Sequence, residues 1–190
     1  MNDGEISRED FDTKIAQNLE ATKEVISYHF ARKPKHAIRY SEWVYEVGVK
    51  NKIIDLNKSV KDKEMARRRR SRVYWMDFGV NVGSEFNDPH FCVVIRESYF
   101  TAIVVPISSV KEDTPEWKIS EDLIVEIGCL DDLPEEKRPN YAMVNQIKTV
   151  SKQRLSTFKY RGSYREIELS NMQMDIIDKT IISLCSNRNK

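Results

Sequence analysis

The side chains of this sequence that could carry chemistry concentrate between residues 85 and 154. His90 stands where a polar loop enters the apolar run FCVVI, and an unperturbed imidazole, with a pKa of about 6.5, accepts and releases protons at cellular pH. Glu85 could orient a phosphate or bind a positive partner. A lone histidine is more often structural, however, and a loop carboxylate is more often only solvated.

Six further polar side chains are candidates for contacting a substrate: Ser108, Asn87, Ser109, Gln146, Lys148 and Arg154. If Tyr141–Val150 forms an alternating strand, Gln146 and Lys148 share one of its faces. A glutamine beside a lysine suits contact with a base edge and a phosphate, and it suits any exposed sheet face equally.

Several chemistries lack their usual motifs. The sequence has no Walker A loop, Rossmann glycine fingerprint, HExxH, GxSxG or paired zinc ligands, so no metal or cofactor is predicted. Cys92, Cys129 and Cys185 are far apart, and we expect buried thiols in a reducing cytoplasm. The formal charge of +1 does not indicate a polyanion partner.

The elements that must position these residues begin with three predicted strands in Arg72–Ser109. A flexible polar loop, Gly79–Pro89, separates the first strand from the second. Loops held on a rigid sheet commonly carry sites. We therefore expect the site at this loop.

The remaining pattern predicts an α+β protein in which a small, strongly curved barrel-like sheet follows an N-terminal helical segment. Pro34 is expected to end the first helix. The predicted elements are helices over Ser7–Phe30 and from His36, a strand over Leu123–Ile127, irregular loops over Lys111–Ser120 and Asp131–Asn140, a short helix capped by Ser151, a strand over Tyr160–Leu169 and a closing helix over Asn171–Cys185.

Lys58–Arg72 is almost wholly charged and contains the strongest basic cluster. It could be an electrostatic track for phosphates, or a solvated linker. The predicted domains are residues 1–66, helical, and residues 67–190, the barrel. The N-terminus does not resemble a signal peptide, and no apolar run is long enough to span a membrane, so a cytoplasmic protein is expected.

Four motifs, in order, resemble the MazF/PemK family of toxins from bacterial toxin–antitoxin modules. VYWMDFGVNVGSEF resembles that family's first strand and GSE loop, and HFCVVI its second strand. IVVPISS and AMVNQIKTVSKQRL resemble the end of its third strand and its DQIRTVDKxRL-like segment. The resemblance covers roughly Arg72–Leu155, together with the closing helix.

The resemblance implies a small SH3-like, MazF-like barrel that dimerises and binds single-stranded RNA in a groove. It implies metal-independent endoribonuclease activity, restrained by an antitoxin protein. The family's catalytic arginine and threonine are replaced by His90 and Ser108, and the proline after the arginine by Phe91. We hypothesise that His90 takes the proton from a ribose 2′-hydroxyl or protonates the leaving oxygen, while Ser108 and a nearby cation steady the charge that develops on the phosphate. Glu85 is the third catalytic candidate.

Two other functions fit the same resemblance. A barrel without the arginine could be a catalytically inactive regulator that binds nucleic acid or protein, or a toxin that acts on DNA gyrase, as a related fold does. The helical segment Ser7–Leu56 could extend the dimer interface, occlude the groove or hold a separate partner.

Overall fold

The computed structural model describes residues 7–56, 67–109, 123–130, 138–160 and 162–186. By its internal contacts the chain divides into two compact units, Met1–Asp55 and Leu56–Lys190. The predicted boundary between residues 66 and 67 borders a segment outside the described residues and stays a prediction. The predicted loop Lys111–Ser120 and most of Asp131–Asn140 also lie outside them.

The N-terminal unit contains two helices of 23 residues each, α1 (Arg8–Phe30) and α2 (Pro34–Leu56). Ser7 caps α1, since its side chain accepts a hydrogen bond from the Asp10 amide at 3.0 Å. The predicted helix and cap are thus confirmed. The prediction for Pro34 was wrong: α1 ends at Phe30, and Pro34 opens α2, where no N–H is needed.

The N-terminal unit buries little of its apolar surface. Among its described side chains only Ala37 is buried, whereas Phe11, Ile15 and Leu19, which predicted the amphipathic helix, are exposed. Helices gain most of their stability by packing an apolar face. We therefore expect these helices to depend on burial against a further surface.

The second unit is a curled antiparallel sheet with a C-terminal helix. Its helix is α3 (Asn171–Ser186), and its strands are β1 (Arg72–Asp77), β2 (Pro89–Glu97), β3 (Thr101–Ser109), β4 (Ile124–Gly128), β5 (Asn140–Met143), β6 (Lys148–Ser151), β7 (Phe158–Tyr160), β8 (Ser163–Arg165) and β9 (Ile167–Glu168). The main sheet has the order β4-β5-β3-β2-β1-β9, with β6 also on β3, and β7 pairs with β8. The predicted α+β class, with a curved, barrel-like sheet and a closing helix, is confirmed.

The sheet curls because two strands, β5 and β6, pair with the same edge of β3. Along one edge β3 pairs with β2, and along the other its end pairs with β5 while its start pairs with β6. A 3₁₀ turn, Val144–Gln146, lets the chain pass from β5 to β6. The prediction of one strand over Tyr141–Val150 was therefore wrong, because the first half of this segment pairs with the end of β3 and the second half with its start.

Apolar side chains pack on both faces of the sheet, as strand alternation requires. The first core contains Val73 and Val93 and is covered by Met174 and Ile177 of α3. A second core on the opposite face contains Met76, Phe78, Cys92, Val94 and Leu155. The candidate site lies on the side of the second core.

The cysteines only partly match their prediction. Cys92 is buried in the second core, and burial raises the pKa of its thiol to about 12. Cys129 and Cys185 are free but exposed, so the prediction of buried thiols was wrong for these two. Cys185 lies in the last turn of α3 and Cys129 just after β4, where neither position faces a core.

The segment after β6 is more broken than its composition predicts. Ser151 does cap a short 3₁₀ helix, Lys152–Arg154, by accepting a hydrogen bond from the Gln153 amide. The single strand expected over Tyr160–Leu169 is instead the end of β7, then β8 and β9. Gly162 adopts a φ of +85° between β7 and β8, which suits a tight hairpin.

Two arginines of the basic segment, Arg70 and Arg72, are engaged with the barrel. Arg70 donates to the Ile95 carbonyl at 2.8 Å and pairs with Asp178 of α3, while Arg72 pairs with Glu166. These contacts anchor the start of β1. They favour the linker interpretation over a free track for phosphates.

Glu97, at the end of β2, is the acidic anchor of this segment. It accepts hydrogen bonds from the Arg68 amide at 2.7 Å and the buried Lys152 ammonium at 2.9 Å, with Arg67 at 3.7 Å. Burial by itself raises the pKa of Glu97, but the two hydrogen bonds and the cations outweigh it and hold that pKa below its usual value.

This lowered pKa predicts an acid-sensitive contribution to stability. Because the folded pKa lies below the unfolded value of about 4.3, the contribution is complete above that pH and is lost as the pH falls through the folded pKa. Glu97→Gln is expected to flatten this acid limb in urea unfolding measured from neutral to acid pH. Asp175→Asn, at an exposed position of α3, is the control, and an unchanged limb in the Glu97 variant would contradict the assignment.

Candidate active site

The loop between β1 and β2 (residues 78–88), here called the β1–β2 loop, is organised around Asn81. The Asn81 amide donates to Asn87 Oδ1 at 2.6 Å, and Asn81 Nδ2 donates to the carbonyls of Phe78 at 3.0 Å and Phe86 at 2.8 Å. One side chain thus ties both ends of the loop together. Asn87, predicted to contact substrate, uses its side-chain oxygen inside the loop.

The base of the β1–β2 loop is closed by backbone hydrogen bonds. The Phe78 amide donates to the Asp88 carbonyl at 3.0 Å, and the Asp88 amide donates to the Gly79 carbonyl at 2.9 Å. Asp88 and Gly83 adopt φ values of +66° and +61°, a region in which Gly and Asp are the better tolerated residues. These bonds give the loop a defined conformation, and its predicted flexibility stays a prediction.

Gln146 and Lys148 hold the β1–β2 loop from the neighbouring chain segment. Gln146 Oε1 accepts from the Phe86 amide at 3.1 Å. Lys148 Nζ donates to Asn81 Oδ1 at 3.2 Å and lies 3.8 Å from the Glu85 carboxylate. The lysine side chain is 36% exposed, so its ammonium can also meet an anion. The structure thus brings Glu85, Gln146 and Lys148 together.

His90 lies at the rim of the second core. It pairs with Met76 in the sheet, and its half-buried ring is 4.5 Å from the ring of Phe86, centroid to centroid. Because Phe86 belongs to the β1–β2 loop, the histidine and the loop are packed directly together. The imidazole is accordingly held against the β1–β2 loop, in which Phe86 directly follows Glu85.

Ser108 is the neighbour of His90 across the sheet. β2 and β3 pair Cys92 with Pro106 and Phe91 with Ile107, so one further step places His90 opposite Ser108. Residues opposite each other in an antiparallel pair share a face and have Cβ atoms about 4.5–5.5 Å apart. Continued by one residue, the register therefore puts His90 and Ser108 on the same face, at the ends of β2 and β3.

Two residues that were predicted to contact the substrate, Ser109 and Arg154, are placed differently. Ser109 pairs with Asn140 and, by strand alternation, faces away from Ser108. Arg154 is half-buried and donates to the Asp77 carbonyl at 2.6 Å, at the point where the β1–β2 loop begins. Burial lowers the pKa of Arg154, and the nearby Asp77 carboxylate opposes this shift. Substrate binding by these two residues stays a prediction.

Sequence reasoning missed Asn81 and Phe86, the two residues that connect the site. A signal for Asn81 existed, since an asparagine among glycines in a turn-rich loop commonly hydrogen-bonds nearby backbone. Phe86 was visible as the one aromatic residue between Gly79 and Pro89. Among the described residues, no group of three His, Cys, Asp or Glu side chains is placed to hold a metal ion.

Comparison with known proteins agrees with this geometry. A family model described as PemK-like, MazF-like toxin of type II toxin-antitoxin system matches residues 69–185. No curated protein matches the chain at a significant level, and in the described ranges no helix has the length and apolar character needed to cross a membrane. The family match covers more than half of the chain and includes every strand of the barrel. The chain therefore belongs to the PemK-like, MazF-like toxins of type II toxin–antitoxin systems.

Proposed function

We propose that this protein is a metal-independent endoribonuclease that cleaves single-stranded RNA. The observation that supports the proposal is the register of β2 and β3, which puts His90 and Ser108 on one face at the ends of these strands, with His90 against the β1–β2 loop that Lys148 holds. An imidazole, a hydroxyl and an ammonium on one side of the sheet are groups that suit a phosphodiester.

In the proposed reaction, neutral His90 removes the proton of a ribose 2′-hydroxyl. The 2′-oxygen attacks the adjacent phosphorus, the bond from phosphorus to the 5′-oxygen breaks, and that oxygen takes up a proton. The products are a 2′,3′-cyclic phosphate and a 5′-hydroxyl. Because the RNA supplies its own nucleophile, the chemistry requires no metal ion.

The remaining site residues have supporting roles in this proposal. The Ser108 hydroxyl donates to a phosphate oxygen, and Lys148 neutralises the charge that develops on the phosphate. Glu85, 3.8 Å from Lys148 Nζ, orients that ammonium. Gln146, Asn87, Ser109 and Arg154 are proposed to position the RNA, either by direct contact or through the β1–β2 loop.

The proposal extends to partners and location. We infer a homodimer that acts on RNA in the cytoplasm and is restrained by an antitoxin protein, with residues 67–190 forming the barrel domain and residues 1–66 a separate helical segment. The toxin family supports a dedicated partner protein. The exposed apolar side chains of α1 support a role for that segment in protein contacts.

The test is incubation of the purified full chain with a long single-stranded RNA in the presence of a chelator. Discrete fragments are expected, each ending in a 2′,3′-cyclic phosphate or its hydrolysis product, with a 5′-hydroxyl on the downstream fragment. End-group labelling and mass spectrometry of the fragments measure this. RNA that stays intact while still being bound would instead identify an inactive regulator.

A further inference from the structure

The β7–β8 hairpin, Phe158–Arg165, has a composition that the proposed active site does not explain. Its eight residues, FKYRGSYR, include three aromatic and three basic side chains and no carboxylate. Interleaved aromatic and basic residues are typical of surfaces that bind single-stranded nucleic acid, because bases stack on rings while cations meet phosphates. Whether these side chains can bind RNA depends on which of them the hairpin exposes to solvent.

A row of rings fixes the hairpin to the main sheet. The ring of Phe158 is 4.9 Å from that of Phe91, which is in turn 4.9 Å from that of Trp75. Trp75 and Ser156 exchange two backbone hydrogen bonds of 2.9 Å just before the hairpin begins. An isolated two-stranded hairpin is only marginally stable, so these contacts are what give it a fixed position.

The opposite face of the hairpin presents Tyr164 and Lys159 to solvent. The two residues are paired across the strands, and Lys159 Nζ lies 5.1 Å from the centroid of the Tyr164 ring. Tyr164 is 70% exposed, so its ring remains accessible beside the ammonium. Arg165, the next residue, is also exposed, but it pairs with Phe158 and so belongs to the other face of the hairpin.

We propose that this hairpin is a second RNA-binding surface, on which Tyr164 stacks against an unpaired base and Lys159 contacts a neighbouring phosphate. The inference rests on the proposed RNA substrate and adds a contact outside the His90–Ser108 pair. The hairpin is attached through Phe91, whose side chain faces the first core, whereas His90 alternates to the other face. An RNA strand bound both beside His90 and on the hairpin would therefore have to pass around the edge of the sheet.

The chemistry of the hairpin favours RNA over a protein partner. The centres of protein interfaces are depleted in lysine, whereas in this hairpin a lysine lies beside the hairpin's most exposed aromatic ring. Every base offers a flat π surface to a tyrosine, so this contact is expected to add affinity for any unpaired sequence. Choice of the cut site would then remain with the groups around His90.

The test measures binding of a short fluorescent RNA in which every 2′-hydroxyl is methylated, so that no 2′-oxygen can attack. Tyr164→Ala in the full chain is expected to weaken binding about 5- to 150-fold, whereas Tyr164→Phe, which keeps the ring, retains it. Lys159→Gln is expected to reduce the slope of log affinity against log salt concentration by about 0.7. Fluorescence anisotropy measures both.

Tyr99→Ala is the matched control, because Tyr99 is 64% exposed on the turn between β2 and β3 and is expected to leave binding unchanged. Binding by Tyr164→Ala as tight as wild type, or an equal loss with Tyr99→Ala, would overturn the proposal. A changed mass in sedimentation with unchanged RNA affinity would likewise overturn it and identify a contact between copies. Since the probe cannot be cut, failure here is distinct from failure of the nuclease proposal.

Discussion

Replacing His90 by glutamine is expected to slow RNA cleavage about 100- to 10,000-fold, the usual contribution of a positioned general acid or base. Glutamine keeps a polar side chain of similar reach but cannot accept or release a proton in this pH range. Because the proposed step is proton removal from the 2′-hydroxyl, the loss is expected in kcat and not in RNA affinity. Cleavage kinetics under excess enzyme, together with binding of the methylated RNA, separate the two.

The matched control for this substitution is His36→Gln in α2, where the imidazole contacts the ring of His29 at 5.4 Å. That variant is expected to cleave RNA at the wild-type rate. Thermal unfolding of both variants accompanies the kinetics, because the ring of His90 packs on Phe86 and its removal could loosen the β1–β2 loop. A well-folded His90→Gln protein that cleaves RNA at the wild-type rate would remove the proposed mechanism.

Replacing Asn81 by leucine is expected to slow RNA cleavage about as much as replacing His90, while leaving the barrel folded. Leucine has nearly the same size but cannot donate to the carbonyls of Phe78 and Phe86 or accept from Lys148. Each lost hydrogen bond of this kind costs about 1 kcal/mol, and more where a group is left buried without a partner. Lys148 would then lose its hydrogen bond to residue 81, and the loop that carries Glu85 would be less firmly held.

Asn81→Asp separates the two roles of this side chain. Aspartate can still accept from Lys148 but cannot donate to the two loop carbonyls, so this variant is also expected to be impaired. Val82→Ser, at a position 82% exposed in the same loop, is the control and is expected to be fully active. Hydrogen exchange of the loop amides reads out the ordering directly, and wild-type protection in Asn81→Leu would contradict the positioning role.

The exposed face of the N-terminal helices has a consequence for these experiments. The apolar residues of α1 are largely uncovered in the described structure, and such surfaces favour association. Kinetic comparisons between variants should therefore be made at matched protein concentration and known oligomeric state. The full chain is the appropriate form, since nothing in the described unit indicates that α1 and α2 are stable alone.

Local sequence patterns determined the parts of this protein that depend on neighbours in the chain. Alternating β-branched and aromatic residues fixed β1, β2 and β3, and a 3.6-residue apolar period fixed α1 and α3. Ser7 determined where α1 begins, because a cap acts within one turn. The family motifs around the β1–β2 loop also placed His90 and Ser108 at the strand ends.

Only the tertiary structure decided which side chains act together. Asn81 meets Lys148 across 67 residues and Phe86 meets Gln146 across 60, and no local period encodes such a pairing. The break at Val144–Gln146 likewise follows from the two pairing positions on β3 and not from the residues of the segment itself. Strand propensity is set within a few residues, whereas the partners of a strand are set by the burial of both faces of the whole sheet.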